Sequence, residues 1–233
     1  MALRPICEPV ELPLGASVIA EHVAMAHGTP DIGRFMHFHD VAELVLFRRV
    51  RGAFIVDGRH HPLDDGAVVF VPSMRRHDFA LERGAMEWVL VQVDPYIVES
   101  LARRAGVARL SRPFCASPDP RTLARIGLLA DWLVDAAKHK DAAVERIVEL
   151  LLLSAAEAPE SETPADDEAP GHVDRLLPAV EMLRVAPADP ITLDCAATTC
   201  RLSPAYFSRR FRQTFGMTFS DYARIYRLHL AAR

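Results

Sequence analysis

The segment at positions 203–216, SPAYFSRRFRQTFG, constrains the fold most strongly. Ser203 can cap a helix, Pro204 suits the first helical position, and Gly216 can end the helix in the left-handed conformation. Three phenylalanines recur every fourth residue and share one face, which must pack against a core: Phe207, Phe211 and Phe215. The other side carries small or polar residues: Ala205, Tyr206, Arg209, Arg212 and Gln213, with Ser208 at the flank. Taken alone, this outer surface suits either a DNA major groove or plain solvent.

The neighbouring segments favour the first alternative. Positions 191–200 predict a short helix that starts at Thr192 and has small residues at helical spacing. Arg201 and Leu202 then form a tight connection, so two short helices are joined by a turn, as in a helix-turn-helix. A further helix can begin at Thr218, with Asp221 three residues later.

The charge distribution agrees with this interpretation. The whole chain has a net charge of −4. Positions 173–233 contain nine arginines and five acidic residues, a balance of +4, which leaves −8 for the rest of the chain. The basic excess therefore coincides with the predicted helix-turn-helix, as expected for a nucleic-acid-binding segment.

A set of residues at specific spacing runs through positions 173–233. They are Leu193 and Ala197, Leu202-Ser203-Pro204, Tyr206-Phe207-Ser208-Arg209, Phe211, Phe215-Gly216-Met217, Phe219, Tyr222, Arg227-Leu228 and Ala231. This pattern resembles the DNA-binding domain of AraC/XylS-type transcription regulators. The resemblance implies that Arg209 contacts a base, that Ala205 and Ser208 lie beside it in the groove, and that Arg210 and Arg212 contact phosphates.

Members of that family carry two helix-turn-helix units joined by a long helix. The sequence ends at Arg233, within what resembles the connecting helix, so the second unit is expected to be absent. Because a second unit would add phosphate and base contacts, we expect weak DNA binding with reduced specificity.

The first third of the chain has the alternating pattern of short β-strands. The strand-like runs are 17–26, 34–38, 42–49, 53–56, 59–62, 67–71, 77–81 and 87–93. Asp57-Gly58 predicts a two-residue hairpin turn, and the sequence 64–66 (DDG) marks another reversal. Eight strands without intervening helices predict a sandwich or small barrel.

Within this block, His37 and His39 lie two residues apart, and Glu43 follows four residues later. Gly66, Pro72 and His77 then follow at a second spacing. The two spacings resemble the paired motifs of cupins, although Gly33 and Gly52 are misplaced and Met74 replaces a glycine. All four positions that bind metal in cupin enzymes hold competent ligands here: His37, His39, Glu43 and His77.

Three interpretations of this set stay open. Three imidazoles and one carboxylate suit a divalent transition metal such as Zn, Fe, Ni, Mn or Cu. Alternatively, the set lines a pocket for an organic effector, as in the sensing domains of AraC-type regulators, or is a satisfied histidine cluster. Strand alternation adds Phe35 and Phe47 to the effector set and places Arg49 on the inward side, where it could meet an anion. The competing interpretation of Arg49 is a surface charge cluster.

The period then changes to that of helices, at 95–105, 121–139 and 142–156. The run 150–153 (LLLL) is apolar on more than one side, so this helix needs cover from two directions. The family resemblance implies that such helices form a dimer contact, and we therefore expect a homodimer. Packing against the protomer's own barrel is the alternative.

These patterns predict an α+β protein with four parts. They are a cupin-like barrel (1–94), a helical dimerisation segment (95–156), an acidic proline-containing linker (157–172) and a helix-turn-helix domain (173–233). We expect a cytoplasmic protein, because no apolar run resembles a secretory signal or a membrane span. We also expect a regulator without catalytic residues. It would bind double-stranded DNA under control of a small-molecule effector or metal. The alternative is a metal-dependent cupin enzyme, a dioxygenase or isomerase, with a helical appendage.

Overall fold

The computed structural model divides the chain into two compact units. The first is built mainly from residues 8–165 and the second mainly from residues 166–233, and each has its own core. Ile6, Cys7 and His37 group with the second unit. The described residues are 6–7, 10, 12–13, 15–26, 36–161, 175–186 and 189–231. Phe35 and most of the predicted linker lie outside them.

The β-strands form two antiparallel sheets, which lie mainly in the first unit. The strands are β1 (Ile6–Cys7), β2 (Val18–Met25), β3 (His37–Phe38), β4 (Ala42–Arg49), β5 (Gly52–Val56), β6 (Arg59–Leu63), β7 (Val68–Val71), β8 (His77–Leu81), β9 (Met86–Val93) and β10 (Phe114–Ala116). One sheet has the strand order β1-β3-β8-β5-β6 and the other β10-β7-β4-β9-β2. This architecture confirms the predicted fold class, an antiparallel β unit followed by helices.

The hairpin between β5 and β6 follows directly from its turn residues. Asp57 and Gly58 have φ values of 52° and 80°, as a two-residue turn with two left-handed positions requires. The register places Val56 opposite Arg59, immediately on either side of the turn. The turn predicted from Asp57-Gly58 is therefore confirmed.

Strand β4 separates two apolar cores because its side chains alternate. Val45 and Phe47 pack with residues of both sheets, so this cluster fills the space between the sheets. Leu44 and Leu46 point the other way and pack with strands and helices in a second cluster. Arg49 is exposed, so the predicted inward orientation is wrong. The register shifts between Phe47 and Arg49, and such a bulge ends the alternation on which the prediction rested.

Three helices cover the second sheet. They are α1 (Pro95–Ala105), α2 (Pro120–His139) and α3 (Val144–Glu157), close to the predicted ranges. Asp94 and Asp119 cap the first two through hydrogen bonds from backbone N–H groups. Leu151 and Leu152 are buried in the helix-side core, whereas Leu150 is 52% exposed.

The start of the predicted linker is attached to β10. The Ser117 amide donates to Pro159 O at 3.0 Å, and the Ser161 amide donates to Cys115 O at 2.9 Å. Arg109 and Arg112 both pair with the carboxylate of Glu160, the former at 3.5 Å. Residues 159–161 therefore lie along the edge of the sheet. The sequence pattern predicted neither this attachment nor β10.

The second unit is helical. Its helices are α4 (Leu177–Val185), α5 (Leu193–Thr199), α6 (Pro204–Phe215) and α7 (Phe219–Ala231), of which α4 was not predicted. The rings of α6 and α7 form an aromatic core, in which Phe211 lies between 4.3 and 5.4 Å, centroid to centroid, from four other rings. These partners are Phe207, Phe215, Phe219 and Tyr222. In the described residues, no helix is both long and apolar enough to span a bilayer.

Candidate functional site

A polar cluster adjoins the core between the two sheets. Glu43, at the start of β4, lies between two imidazoles: its carboxylate is 3.1 Å from His39 Nε2 and 3.5 Å from His77 Nε2. The two imidazole rings meet edge to face, with centroids 5.0 Å apart. One ligand atom from each of His37, His39 and His77 lies within 4.8 Å of the others. The structure thus brings His37, His39 and His77 together and places Glu43 against the last two.

Backbone carbonyls fix the orientation of two of these imidazoles. His39 Nδ1 is 2.9 Å from Val41 O, and His77 Nδ1 is 3.0 Å from Arg75 O. A carbonyl only accepts hydrogen bonds, so each Nδ1 must carry the proton. The Nε2 atoms, which are the remaining coordination sites, both face Glu43. This is the arrangement that outer partners impose on metal-binding histidines.

An Nε2 lone pair and a carboxylate repel each other unless a proton or a cation lies between them. The pKa of His39 is raised: burial alone would lower it, but Glu43, the Val41 carbonyl and the charge of Asp40 together outweigh burial. The pKa of Glu43 is lowered well below its usual range, since the histidines outweigh the opposing effect of burial. The site therefore favours a carboxylate that faces positive charge.

The ligand spacing can be compared with that of a metal centre. Bonds of about 2.0–2.1 Å with tetrahedral angles place ligand atoms about 3.3 Å apart. His39 Nε2 lies 3.1 Å from Oε2 of Glu43 and His77 Nε2 lies 3.5 Å from Oε1, so the two separations, each to a different oxygen, bracket this value. The chemistry of the donors also matches, because imidazole and carboxylate ligands suit first-row transition metals.

Two residues to which the sequence pattern assigned no supporting role, Gln92 and Met74, contact the cluster. Gln92 lies opposite Glu43 in the register and donates from Nε2 to the carboxylate at 3.4 Å. Side-chain alternation in β9 could have indicated Gln92. Trp88 and Leu90 pack in the core between the sheets, and Gln92 follows on the same face of the strand. Met74, at the position of a cupin glycine, has a φ of 63° and donates its amide to His39 O at 2.7 Å.

Aromatic rings pack closely beside the polar cluster. Phe47 is 2% exposed, and its ring lies edge to face with that of Phe79 at 5.7 Å. His77 contacts Phe54 and Phe79 at centroid distances of 6.3 and 5.7 Å. Of the proposed effector residues, Phe47 therefore lies in the core beyond the polar cluster. Phe35 is outside the described residues.

The second candidate site is the exposed side of α6. The amide of Tyr206 donates to Ser203 Oγ at 3.4 Å, and Gly216 has a φ of 74°, so both predicted helix ends are confirmed. Phe207, Phe211 and Phe215 are at most 2% exposed, which confirms the predicted buried face. That face fixes the orientation of the helix.

The outer surface of α6 is basic. Arg209, Arg212 and Ala205 are exposed, and Ser208 is half-buried. Within the described part of the chain, no salt bridge involves either Arg209 or Arg212. These two charges are available to an anionic partner.

The turn before α6 brings two helices together. Ala196 and Ala197 of α5 are fully buried, as expected from small residues at a helix contact, and the Leu202 amide donates to Ala197 O at 2.9 Å. Arg201 closes the turn with a φ of 55°, an uncommon conformation for a side chain of this size.

Two short helices, a tight turn and a basic outer face define a DNA-binding helix-turn-helix. Residues 187–224 match the family described as bacterial regulatory helix-turn-helix proteins, AraC family. The second unit thus carries an AraC-family helix-turn-helix. A comparison with curated proteins finds no relative that matches the chain.

Similar solved structures include two regulators and a cupin. The AraC-like transcriptional activator CuxR is 15% identical over 82% of this chain and 67% of its own, with a TM-score of 0.43. Fatty-acid-bound ToxT from Vibrio cholerae strain SCE256 is 10% identical over 90% and 77%, with a TM-score of 0.45. An RmlC-like cupin from Shewanella frigidimarina is 16% identical over 34% and 67%, with a TM-score of 0.29.

Proposed function

We propose that this protein is a transcription regulator in which a ligand bound by the β unit controls DNA binding by the helix-turn-helix. The observation that carries the proposal is that α6 has one buried apolar face and one exposed basic face. Its phenylalanines are sealed in a core, while Arg209 and Arg212 face outward. A helix held in this way presents cations to a duplex without any rearrangement.

We assign base contact to Arg209, with Ala205 and Ser208 beside it, and phosphate contact to Arg210 and Arg212. A bidentate arginine–guanine pair contributes about 1–3 kcal/mol of discrimination. Arg209→Ala should therefore weaken binding to a selected duplex by about 5- to 150-fold and binding to a shuffled duplex much less. Arg212→Ala is the matched control, since it removes a phosphate contact and should weaken both duplexes alike. Equal losses for Arg209→Ala on both duplexes would contradict the base contact.

We infer that the ligand site is the polar cluster, with His37, His39, Glu43 and His77 as ligands of a divalent transition metal. The support is that both oriented Nε2 atoms face one carboxylate at near-coordination spacing. Stoichiometric Zn²⁺ or Ni²⁺ should raise the thermal midpoint of the first unit. The increase should vanish in His77→Ala and persist when an exposed histidine, His60, is replaced by alanine.

An organic effector is the alternative occupant of the same cluster. Its carboxylate or hydroxyl groups would meet the imidazoles, and its apolar part would need Phe47 to move. Unchanged thermal midpoints with every first-row metal would favour this occupant. Metal analysis of protein purified without added metal gives an independent answer.

We also propose a homodimer formed through the helices of the first unit. Leu128 and Trp132 lie four residues apart on α2, and they are 70% and 51% exposed. Leu150 of α3 is a third large apolar side chain in contact with water. A second copy could cover these groups, so Trp132→Glu should convert a dimer to a monomer in sedimentation experiments. Tyr96→Ser on α1 is a control of similar exposure.

A metal-dependent cupin enzyme is the second candidate function, and the histidine and glutamate cluster is the observation that favours it. Turnover of a small substrate by metal-loaded protein would support the enzyme. Salt-dependent binding to DNA by the same preparation would support the regulator. We propose no catalytic residue.

A further inference from the structure

Tyr206 contacts two arginines of the basic surface. Arg210 Nε donates to Tyr206 Oη at 3.1 Å, and the guanidinium carbons of Arg209 and Arg210 lie 5.4 and 5.5 Å from the ring centroid. Arg210 Nη1 also reaches Gln213 Oε1 at 3.5 Å. Among the described residues, no ring of the phenylalanine core packs against the ring of Tyr206, whose side chain is half-buried. Its ring thus belongs to the outer surface of α6.

The spacing along the helix explains these contacts. Tyr206 and Arg210 are one turn apart and therefore lie on one stripe, which Gln213 continues. Arg209 lies three residues after Tyr206, on a neighbouring stripe of the helix, and its guanidinium group lies over the ring. A tyrosine ring attracts guanidinium groups to its face, and its hydroxyl oxygen can accept one hydrogen bond while its proton donates elsewhere.

Flexible arginines lose side-chain entropy when they bind a duplex in one geometry. A neighbour that holds them beforehand reduces that loss.

We propose that Tyr206 is a positioning residue of the DNA-binding surface, which holds Arg210 through its hydroxyl and Arg209 through its ring in the geometry that meets the duplex. This inference rests on the proposed DNA-binding function. Arg210 has both a hydrogen bond and a ring contact to Tyr206, whereas Arg209 has the ring contact.

The contact itself can be tested without DNA. The hydrogen bond from Arg210 and the nearby arginine charges lower the pKa of Tyr206. Ultraviolet absorbance titration follows the four tyrosines, and Tyr206→Phe identifies the signal of Tyr206. Arg210→Met should move that ionisation to higher pH, whereas Arg212→Met on the same helix should move it less. An unchanged titration in Arg210→Met would overturn the contact.

The role is tested with duplexes selected from a random pool by the wild-type chain, and with shuffled duplexes of equal composition. Tyr206→Phe keeps the ring and removes the hydroxyl, so binding to the selected duplex should fall about three- to tenfold, the worth of one hydrogen bond. Its urea midpoint should equal that of the wild type, because the hydroxyl supports no core. Tyr206→Phe combined with Arg210→Met should bind no more weakly than Arg210→Met alone.

The outcomes separate the two proposals. Wild-type protein without salt-dependent DNA binding would overturn the proposed function and this role with it. Normal wild-type binding with an unaffected Tyr206→Phe, or with additive losses in the double variant, would overturn the positioning role alone.

Discussion

Phe211 supplies the most stringent test of the second unit. It is fully buried and has four aromatic neighbours, the nearest at a centroid distance of 4.3 Å. Phenylalanine-to-alanine changes in cores cost about 3–5 kcal/mol, and aromatic neighbours on several sides oppose collapse of the cavity, so we expect about 4–5 kcal/mol. A unit of roughly 60 residues has a stability of about 3–9 kcal/mol. Phe211→Ala should therefore leave the second unit close to unfolding.

The two tryptophans allow the units to be followed separately. Trp88 and Trp132 both lie in the first unit, so their fluorescence reports its unfolding, whereas far-ultraviolet circular dichroism includes the helices of both. Phe211→Ala should remove or shift part of the dichroism transition in urea and leave the fluorescence midpoint unchanged. Gln213→Ala, an exposed change on the same helix, should cost less than about 0.5 kcal/mol. A loss below about 1 kcal/mol for Phe211→Ala, or an equal shift in fluorescence, would refute this reasoning.

Three further predictions concern single positions. Arg201→Gly should raise the unfolding free energy of the second unit by about 0.5–1 kcal/mol in urea, because glycine adopts the positive φ without strain; a decrease would contradict this. The Thr122 hydroxyl and the backbone N–H groups of Thr122 and Arg121 lower the pKa of Asp119, so its contribution is present above the unfolded carboxyl pKa and is lost as pH falls through the folded value. Asp119→Asn should then flatten the acid limb of fluorescence-monitored stability, and identical limbs would argue against the cap. Glu160→Gln should speed hydrogen exchange at the Ser117 and Ser161 amides, which unchanged rates would disprove.

Much of the fold was predictable because its signals are local. The hairpin at Asp57-Gly58 and the helix ends at Ser203 and Gly216 each depend on the conformational preference of one or two residues. The faces of β4 and α6 follow from side-chain periodicity, which a sequence displays directly. These signals need no knowledge of distant residues.

The features that the sequence did not predict correctly have a common physical cause. Strand β10 is three residues long and is stabilised by pairing with β7, which lies more than 40 positions earlier. The bulge that turns Arg49 outward depends on the register with β9. Gln92 joins Glu43 through that same pairing. Each feature arises from contacts between segments that are far apart in sequence, so no local pattern indicates it.

The sequence by itself determined which residues could form the two sites. It shows directly where histidine, glutamate and arginine occur and which positions share a face of a helix or strand. Only the tertiary structure decided their geometry. Carbonyls of Val41 and Arg75 orient the imidazoles towards Glu43, and Tyr206 gathers two arginines on α6. Hydrogen-bond direction and distance depend on how the backbone folds in three dimensions, and composition and spacing do not specify them.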